Sequence, residues 1–267
     1  MSQKQEVIHS RIWEETPEPD NPFAAAGCFC AGYDVYGELL GQAGWAEYLY
    51  LLFKGEKPAP AQARLLENLA VALANPGPRE ASVHAAMSGG TGGSTHASCL
   101  MAALAVGAGQ LGGAHEVALA VACWQTCGTD LTAWRERLQN PPGDDAIDVW
   151  PAMEHPPGFD PHGASCATPV RQTLAVLKEH SGILAWLERQ RPDLEAAAGH
   201  PLGMTGVAAA AFFELGLDAD QAEMLHLLLC LPGAAVHALE QREYGWRRFP
   251  FFGDGLQLVD QSDLQPS

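Results

Sequence analysis

The sequence predicts an all-α protein made of many short helices. Apolar residues recur three and four positions apart in segment after segment, which is typical of helices that bury one face. Glycine and proline stand between these segments, where they end one helix before the next begins. No alternating run of β-branched and aromatic residues exceeds four positions, so few strands are expected.

The first half of the chain contains six predicted helices. In the first of them, Trp45, Tyr48 and Leu52 lie on one stripe, and Gly55 ends the helix. The third is predicted to end at the glycine-rich run 89–93, because glycine is a poor helix former. The predicted helices span residues 44–54, 59–74, 82–87, 94–108, 114–127 and 131–138.

The second half begins with a long irregular stretch at residues 140–165, rich in proline, which is predicted to be a lid or binding loop. Four further helices are predicted at 170–189, 206–215, 218–230 and 234–242, and Leu231, Pro232 and Gly233 are expected to separate the last two. The tail, residues 257–267, is expected to be extended.

Composition excludes several classes of protein. The 267 residues are 47% hydrophobic, enough to bury a core, and the net charge of −17 repels phosphate backbones, so a nucleic-acid reader is not expected. No apolar run is long enough for a transmembrane helix, and the N-terminal residues do not resemble a signal peptide. Seven cysteines without zinc-site spacing predict buried free thiols, no metal and a cytoplasmic location.

Four motifs follow one another along the chain. Residues 44–58 end in LLFKGEKP, Gly112-Gly113-Ala114 precedes Glu116, Gly158-Phe159 precedes His162, and residues 237–242 read HALEQR. In this order the motifs resemble those of the citrate synthase and citryl-CoA lyase family over residues 32–252. They match an opening helix with an LLxGExP ending, an HGGAxE turn, a GFGH active-site loop and an HxxEQR helix.

This resemblance implies a multi-helical fold with a large and a small domain, assembled as a dimer. The implied segments are an N-terminal segment (1–31), the first part of the large domain (32–139), an active-site loop and small domain (140–215), the C-terminal helices of the large domain (216–256) and a tail (257–267). The implied chemistry forms or cleaves a carbon–carbon bond next to a coenzyme A (CoA) thioester. In the family a carboxylate removes the α-proton and a histidine stabilises the enol.

Three positions depart from the family pattern. The first family histidine corresponds to Pro76, the second to Leu111, and the catalytic aspartate to Thr205. Proline and leucine side chains have no proton to donate, and a threonine hydroxyl is not a base near neutral pH without a neighbouring base. Each replacement therefore removes a capacity for the parent chemistry.

Other residues are candidates for a rearranged site. His162 is the candidate loop histidine, although Pro161 competes for the aligned position, and Arg171, nine residues later, matches a carboxylate-binding arginine of the family. His115 lies one helical turn after Leu111 and is a candidate stand-in; its alternative role is a solvated or dimer-facing residue. Glu116 is a candidate relocated carboxylate.

Two further groups are candidate binding residues. Arg242, Arg247 and Arg248 stand beside aromatic residues in a chain with only 15 lysines and arginines, and guanidinium groups bind carboxylate and phosphate in a bidentate manner. The alternative is a surface turn at a dimer seam. Gly158 and Phe159 resemble the loop that cradles adenine, with Phe159 as a stacking surface or a core residue.

Two functions therefore remain open. The first is a citrate synthase- or citryl-CoA lyase-like enzyme that acts on an acyl-CoA and a carboxylated partner through a rearranged site, with no bound cofactor. The second is a catalytically inactive homologue that serves as a CoA-ester binder or as the partner subunit of an intact relative. A homodimer, or a hetero-oligomer with that relative, is expected, without nucleic acid or membrane partners.

Overall fold

The computed structural model of the chain describes residues 9–141, 153 and 155–249, and confirms the all-α class. Ten α-helices occur in this part of the chain. They are α1 (Trp45–Lys54), α2 (Pro60–Leu73), α3 (Ala81–Thr91), α4 (His96–Gly107), α5 (Ala114–Cys127), α6 (Leu131–Gln139), α7 (Thr168–Leu177), α8 (Gly182–Ala198), α9 (Met204–Glu214) and α10 (Ala219–Tyr244). The predicted tail 257–267, and residues 142–152 and 154 of the predicted lid 140–165, lie outside the described residues.

A small antiparallel sheet, which was not predicted, precedes the helices. Its strands are β1 (Glu14–Glu18), β2 (Asn21–Cys30) and β3 (Tyr33–Asp34), in the order β1-β2-β3. Most of β1 and β2 is exposed and only the last residue of β2 is buried. A strand that buries neither face has no reason to alternate apolar and polar residues, so the period-two pattern is missing.

Two predicted helix ends are wrong. Helix α3 continues through Gly89 and Gly90 to Thr91, and Gly90 packs so closely on the backbone of Ala238 that a Cβ atom there would collide with its carbonyl oxygen. The glycine therefore allows close helix packing. Helix α10 likewise runs through Pro232 without the predicted break, since proline removes only one of its many backbone N–H donors.

The predicted helix 170–189 is two helices. Helix α7 ends in a 3₁₀ turn at Lys178–His180, and Ser181 caps the N-terminus of α8 by accepting a hydrogen bond from the Leu184 N–H. The Ser181 hydroxyl donates to Glu214 at 2.6 Å. A serine followed by an apolar helix is a start signal that overrides the continuing amphipathic pattern.

Helix α10 is long and apolar enough to cross a membrane, judged by length and composition alone. A core helix of a soluble protein passes the same test. Ala222, Leu225, Leu229 and Ala234 of this helix are buried within the chain. Its apolar character is therefore already explained by packing at these positions.

The chain divides into two compact units. Their boundaries differ from those of the predicted segments, and the segments stay a prediction. The first unit comprises residues 1–75 and 107–230, and the second comprises 76–106 and 231–267. The core of the first unit includes α5 and α9, and residues 207–212 of α9 are completely buried. The core of the second unit consists of Val83, Ala86, Cys99, Ala103, Ala234 and Ala238.

Candidate functional site

A buried carboxylate in the first unit joins three separate segments. Glu116 stands in the first turn of α5 and is 1% exposed. Its Oε2 accepts a hydrogen bond from the Gly112 N–H at 2.6 Å, and its Oε1 accepts from the Gly158 N–H at 2.9 Å and from the Thr205 hydroxyl at 2.8 Å. A negative charge is favourable at a helix N-terminus, and here it is also satisfied by three donors.

The second of these segments is the loop that contains Gly158. Its φ of +92° lies in the left-handed region, and a Cβ atom on it would stand 2.9 Å from the Cα of Gly206. The Gly158 carbonyl accepts from the Gly203 N–H at 2.9 Å, and Phe159 pairs with Leu202 in an antiparallel bridge. Glycine is therefore required on both sides of this contact, which fixes the loop against the start of α9.

His155 is a member of this cluster that the sequence did not predict. Its imidazole side chain is 4% exposed, and its Nε2 lies 3.7 Å from Oε2 of Glu116. Within the described part of the chain, this Nε2 has no hydrogen-bond partner. The ring of His155 also meets the ring of His200 edge-on, with centroids 6.2 Å apart. A single histidine in a proline-rich loop carries no periodic signal, and only its closeness to Gly158 along the chain hints at a role.

The chemistry open to this cluster is limited by its hydrogen bonds. The sequence resemblance predicts Thr205 at the position of the family's catalytic aspartate, and its hydroxyl proton is directed at Glu116. Glu116 accepts three hydrogen bonds and is buried, so it is not placed to contact a substrate. The candidates Glu116, Thr205 and Gly158 are thus brought together, in an arrangement that orders backbone rather than one that presents an exposed base.

A cleft of about 580 Å³ opens nearby in the same unit. Arg171 and His200 line it, and Arg171 makes no ion pair among the described residues. Arg191 also lines it but is neutralised by an ion pair with Glu195, in which its Nη1 donates to both carboxylate oxygens. The remaining lining residues are Gly163, Ala164, Ser165, Cys166, Ala196, Gly199 and Pro201. Burial raises the pKa of the Cys166 thiol above its usual range, so this cysteine stays protonated.

The structure places the other histidine candidates outside the carboxylate cluster. His162 is exposed, next to the cleft-lining Gly163, and its backbone N–H donates to Asp160 at 2.9 Å. His115 points to Glu223 on α10, with its Nδ1 3.1 Å from the carboxylate. Leu111 is itself exposed.

The structure also shows the surroundings of the loop residue Phe159 and of the three candidate arginines. Phe159 is buried in the core of the first unit. Of its two predicted roles, stacking surface or core residue, this is the second. In the second unit, Arg242 lies 3.2 Å from His96 Nε2, and Arg247 and Arg248 lie over the rings of aromatic neighbours. All three arginines are exposed.

No group of three or more potential metal ligands occurs within residues 9–141 and 155–249, and all seven cysteines are free.

Solved structures share this architecture. A citryl-CoA lyase from Hydrogenobacter thermophilus matches with a TM-score of 0.68 and 18% identity, over 96% of this chain and 99% of that chain. The chain has the citryl-CoA lyase fold. An ATP citrate lyase from Methanothrix soehngenii, in complex with citrate and coenzyme A, matches all of this chain with a TM-score of 0.70 and 17% identity. A variant ATP citrate lyase from Methanosaeta concilii, in complex with (3S)-citryl-CoA, gives 0.71 and 16%.

The citryl-CoA lyase fold is therefore confirmed at the level of structure, as the order of motifs predicted. The chain spans 44% and 43% of the two ATP citrate lyases, and so corresponds to less than half of those proteins. No protein-family model and no curated protein matches the sequence. A fold can host many functions, so the activity has to be argued from the site.

Proposed function

We propose that this protein binds a CoA thioester and a small carboxylate on its citryl-CoA lyase fold without performing the proton abstraction that begins the parent reaction. It acts as a CoA-ester binder, alone or as the partner subunit of an intact relative. The observation that carries the proposal is the hydrogen bond from the Thr205 hydroxyl to Glu116, because the position of the family base holds a donor aimed at a buried acceptor.

Binding is supported by the cleft in the first unit. Arg171 presents a guanidinium group that has only the Thr168 hydroxyl, at 3.0 Å, as a described partner, and a carboxylate pairs well with the donors that remain. His200 contributes a second polar group on the wall of the cleft. The net charge of −17 makes such a local cation more significant, since most of the surface repels anions.

Three replaced side chains together support the loss of proton abstraction from the acyl-CoA. Pro76 and Leu111 replace histidines, and Thr205 replaces the base. Each group that is removed from a catalytic set typically costs several kcal/mol of transition-state stabilisation. A protein that lacks all three is expected to bind the ligands of the reaction without turning them over.

Calorimetric titration tests the binding half of the proposal. Citrate and acetyl-CoA are titrated into the full chain, and citrate affinity is expected to fall at least about tenfold in Arg171→Gln, which corresponds to one lost ionic contact. Arg135→Gln is the matched control, because Arg135 pairs with Asp193 on the surface of the same unit. Absence of heat with either ligand, or equal loss in both variants, would contradict the proposal.

Hydrogen exchange tests the chemical half. Acetyl-CoA is incubated with the protein in D₂O, and deuterium in the acetyl methyl group is followed by NMR in the presence and absence of a dicarboxylate. No exchange above the buffer rate is expected. Exchange that the protein accelerates would show that a base is at work.

One observation favours a second function, Claisen-type bond formation or cleavage by a rearranged site. His155 and Glu116 form a buried imidazole–carboxylate pair next to the wall of the cleft, and such pairs serve as proton-holding groups in other enzymes. In that case methyl exchange occurs in the wild type and is lost in His155→Phe. The same NMR measurement therefore separates the two functions.

A further inference from the structure

The acceptor capacity of Glu116 is not filled. A carboxylate offers about four lone-pair positions, two on each oxygen. Oε1 receives two donors, from Gly158 and Thr205, whereas Oε2 receives only the Gly112 N–H. One acceptor position on Oε2 thus has no described donor.

His155 faces that oxygen. Its Nε2 is 3.7 Å from Oε2, buried, and without a hydrogen-bond partner in the described part of the chain. A lone pair on Nε2 would point at a negatively charged oxygen, whereas an N–H would be attracted to it, so electrostatics assigns the proton to this nitrogen. A shift of about 0.8 Å would bring the pair to the usual N–H···O separation of about 2.9 Å.

We propose that His155 is a positioning residue that completes the fourth hydrogen bond of Glu116 when the cleft is occupied by its ligand. The inference rests on the ligand binding proposed above. The route to the cleft is short, because His200 both lines the cleft and packs edge-on against the His155 ring. Displacement of His200 by a ligand is transmitted to His155 through this ring contact.

His155 is therefore expected to affect ligand affinity and the stability of the free protein differently. Without ligand, the buried Nε2–H makes no hydrogen bond, so the cost of its desolvation is not offset by one. With ligand, it bonds to the carboxylate that holds the Gly158 backbone and the Thr205 hydroxyl. His155 therefore strengthens ligand binding and leaves the stability of the free fold unchanged or lower.

The test compares His155→Phe, which keeps a planar ring but has no donor, with His155→Gln, which keeps an N–H donor. Citrate and acetyl-CoA are titrated calorimetrically into each full-length variant, and unfolding in urea is measured without ligand. His155→Phe is expected to bind at least about tenfold more weakly, equivalent to one hydrogen bond, while its unfolding midpoint is unchanged or higher. His155→Gln is expected to bind within about threefold of the wild type.

A spectroscopic measurement accompanies the titrations. In protein labelled with ¹⁵N-histidine, one imidazole N–H proton is expected to move to low field when ligand is added, and to be missing in both His155 variants. A wild type that binds ligand with no such shift would overturn the inference.

The remaining outcomes each decide a specific point. If the wild type binds and His155→Phe binds equally well, the inference is wrong and the proposed function stands. If His155→Phe loses stability and affinity together, and His155→Gln does not restore binding, the residue is structural and the inference is wrong. If the wild type binds neither ligand, the proposed function fails, and the inference fails with it.

Discussion

The hydroxyl of Thr205 donates a 2.8 Å hydrogen bond to Oε1 of Glu116, a residue 89 positions earlier in the chain. The two residues begin different helices of the same core, α9 and α5. Because the same oxygen also accepts from the Gly158 N–H, the carboxylate fixes two helix starts and a loop at one point. Thr205, which the motif resemblance aligns with the family base, therefore has a structural task here.

Glu116→Gln should destabilise the protein. The amide retains one acceptor but places an NH₂ donor against an N–H or O–H donor, so at least one buried hydrogen bond is replaced by a repulsive contact. The free energy of unfolding is expected to fall by about 3 kcal/mol, measured in urea.

Glu47→Gln is the matched control for that variant. Glu47 occupies the same position in the first turn of α1 and accepts from the Gly44 N–H at 2.6 Å, but this hydrogen bond is exposed. It should cost about 0.5–1 kcal/mol, because water can replace the lost contact. Equal effects of the two substitutions would show that burial of Glu116 does not matter.

Thr205→Asp, which restores the acid of the family motif, should be harmful and dependent on pH. Two carboxyl groups within hydrogen-bond distance repel each other when both are ionised, which raises the pKa of one of them above the value of about 4 in the unfolded chain. The folded variant then binds more protons than the unfolded chain, so its stability falls as the pH rises towards neutrality.

Thr205→Val separates that repulsion from simple loss of the hydroxyl. It should cost about 1 kcal/mol at every pH, whereas Thr205→Asp should lose about 3 kcal/mol at pH 7 and recover in acid. Urea unfolding at a series of pH values gives both curves. Parallel curves for the two variants would contradict the contact between residues 205 and 116.

The parts of the fold that the sequence predicts well are those with local signals. Helix α5 has the predicted bounds because a Gly-Gly turn precedes it and Gly128 follows it. The break before α8 was missed although Ser181 is a local start signal, because the amphipathic pattern continues across it and favours one long helix. The continuity of α10 was missed because this helix tolerates Pro232, which local sequence rules treat as a helix break.

The candidate site was likewise predicted only in part from the sequence. Motif order singled out Glu116, Gly158 and Thr205 individually, and the structure brings them into one hydrogen-bonded group. That they share one carboxylate could not be read from the sequence, because the contacts span 42 and 89 positions. His155 was missed because a buried imidazole in a loop has no spacing signature.

Gly206→Ala should destabilise the contact between α9 and the loop. A Cβ atom at this position would collide with the Gly158 carbonyl oxygen and lie 2.8 Å from a Leu202 methyl carbon. Backbone cannot yield cheaply, so a loss of about 2–3 kcal/mol is expected in urea unfolding. Gly182→Ala is the control, as nothing lies within 4 Å of its Cβ position, and it should be neutral or stabilising by up to about 1 kcal/mol.

His226 should make the protein sensitive to acid. The residue is buried on α10, with its Nε2 3.6 Å from the Cys230 sulfur, and burial lowers its pKa to about 4. Between about pH 6.5 and 4 the unfolded chain binds a proton that the folded chain does not, so folding stability falls as the pH is lowered through this window. The contribution is about 3 kcal/mol at most.

His226→Leu should remove this part of the pH dependence, because leucine has no proton to bind. Its unfolding free energy should therefore fall less steeply than that of the wild type between pH 6.5 and pH 4, as measured by urea unfolding at several pH values. His115→Leu is the control, since His115 lies in the same unit but is exposed. If the wild-type and His226→Leu curves run parallel, His226 is protonated equally in both states, and its burial has no part in the acid sensitivity of the protein.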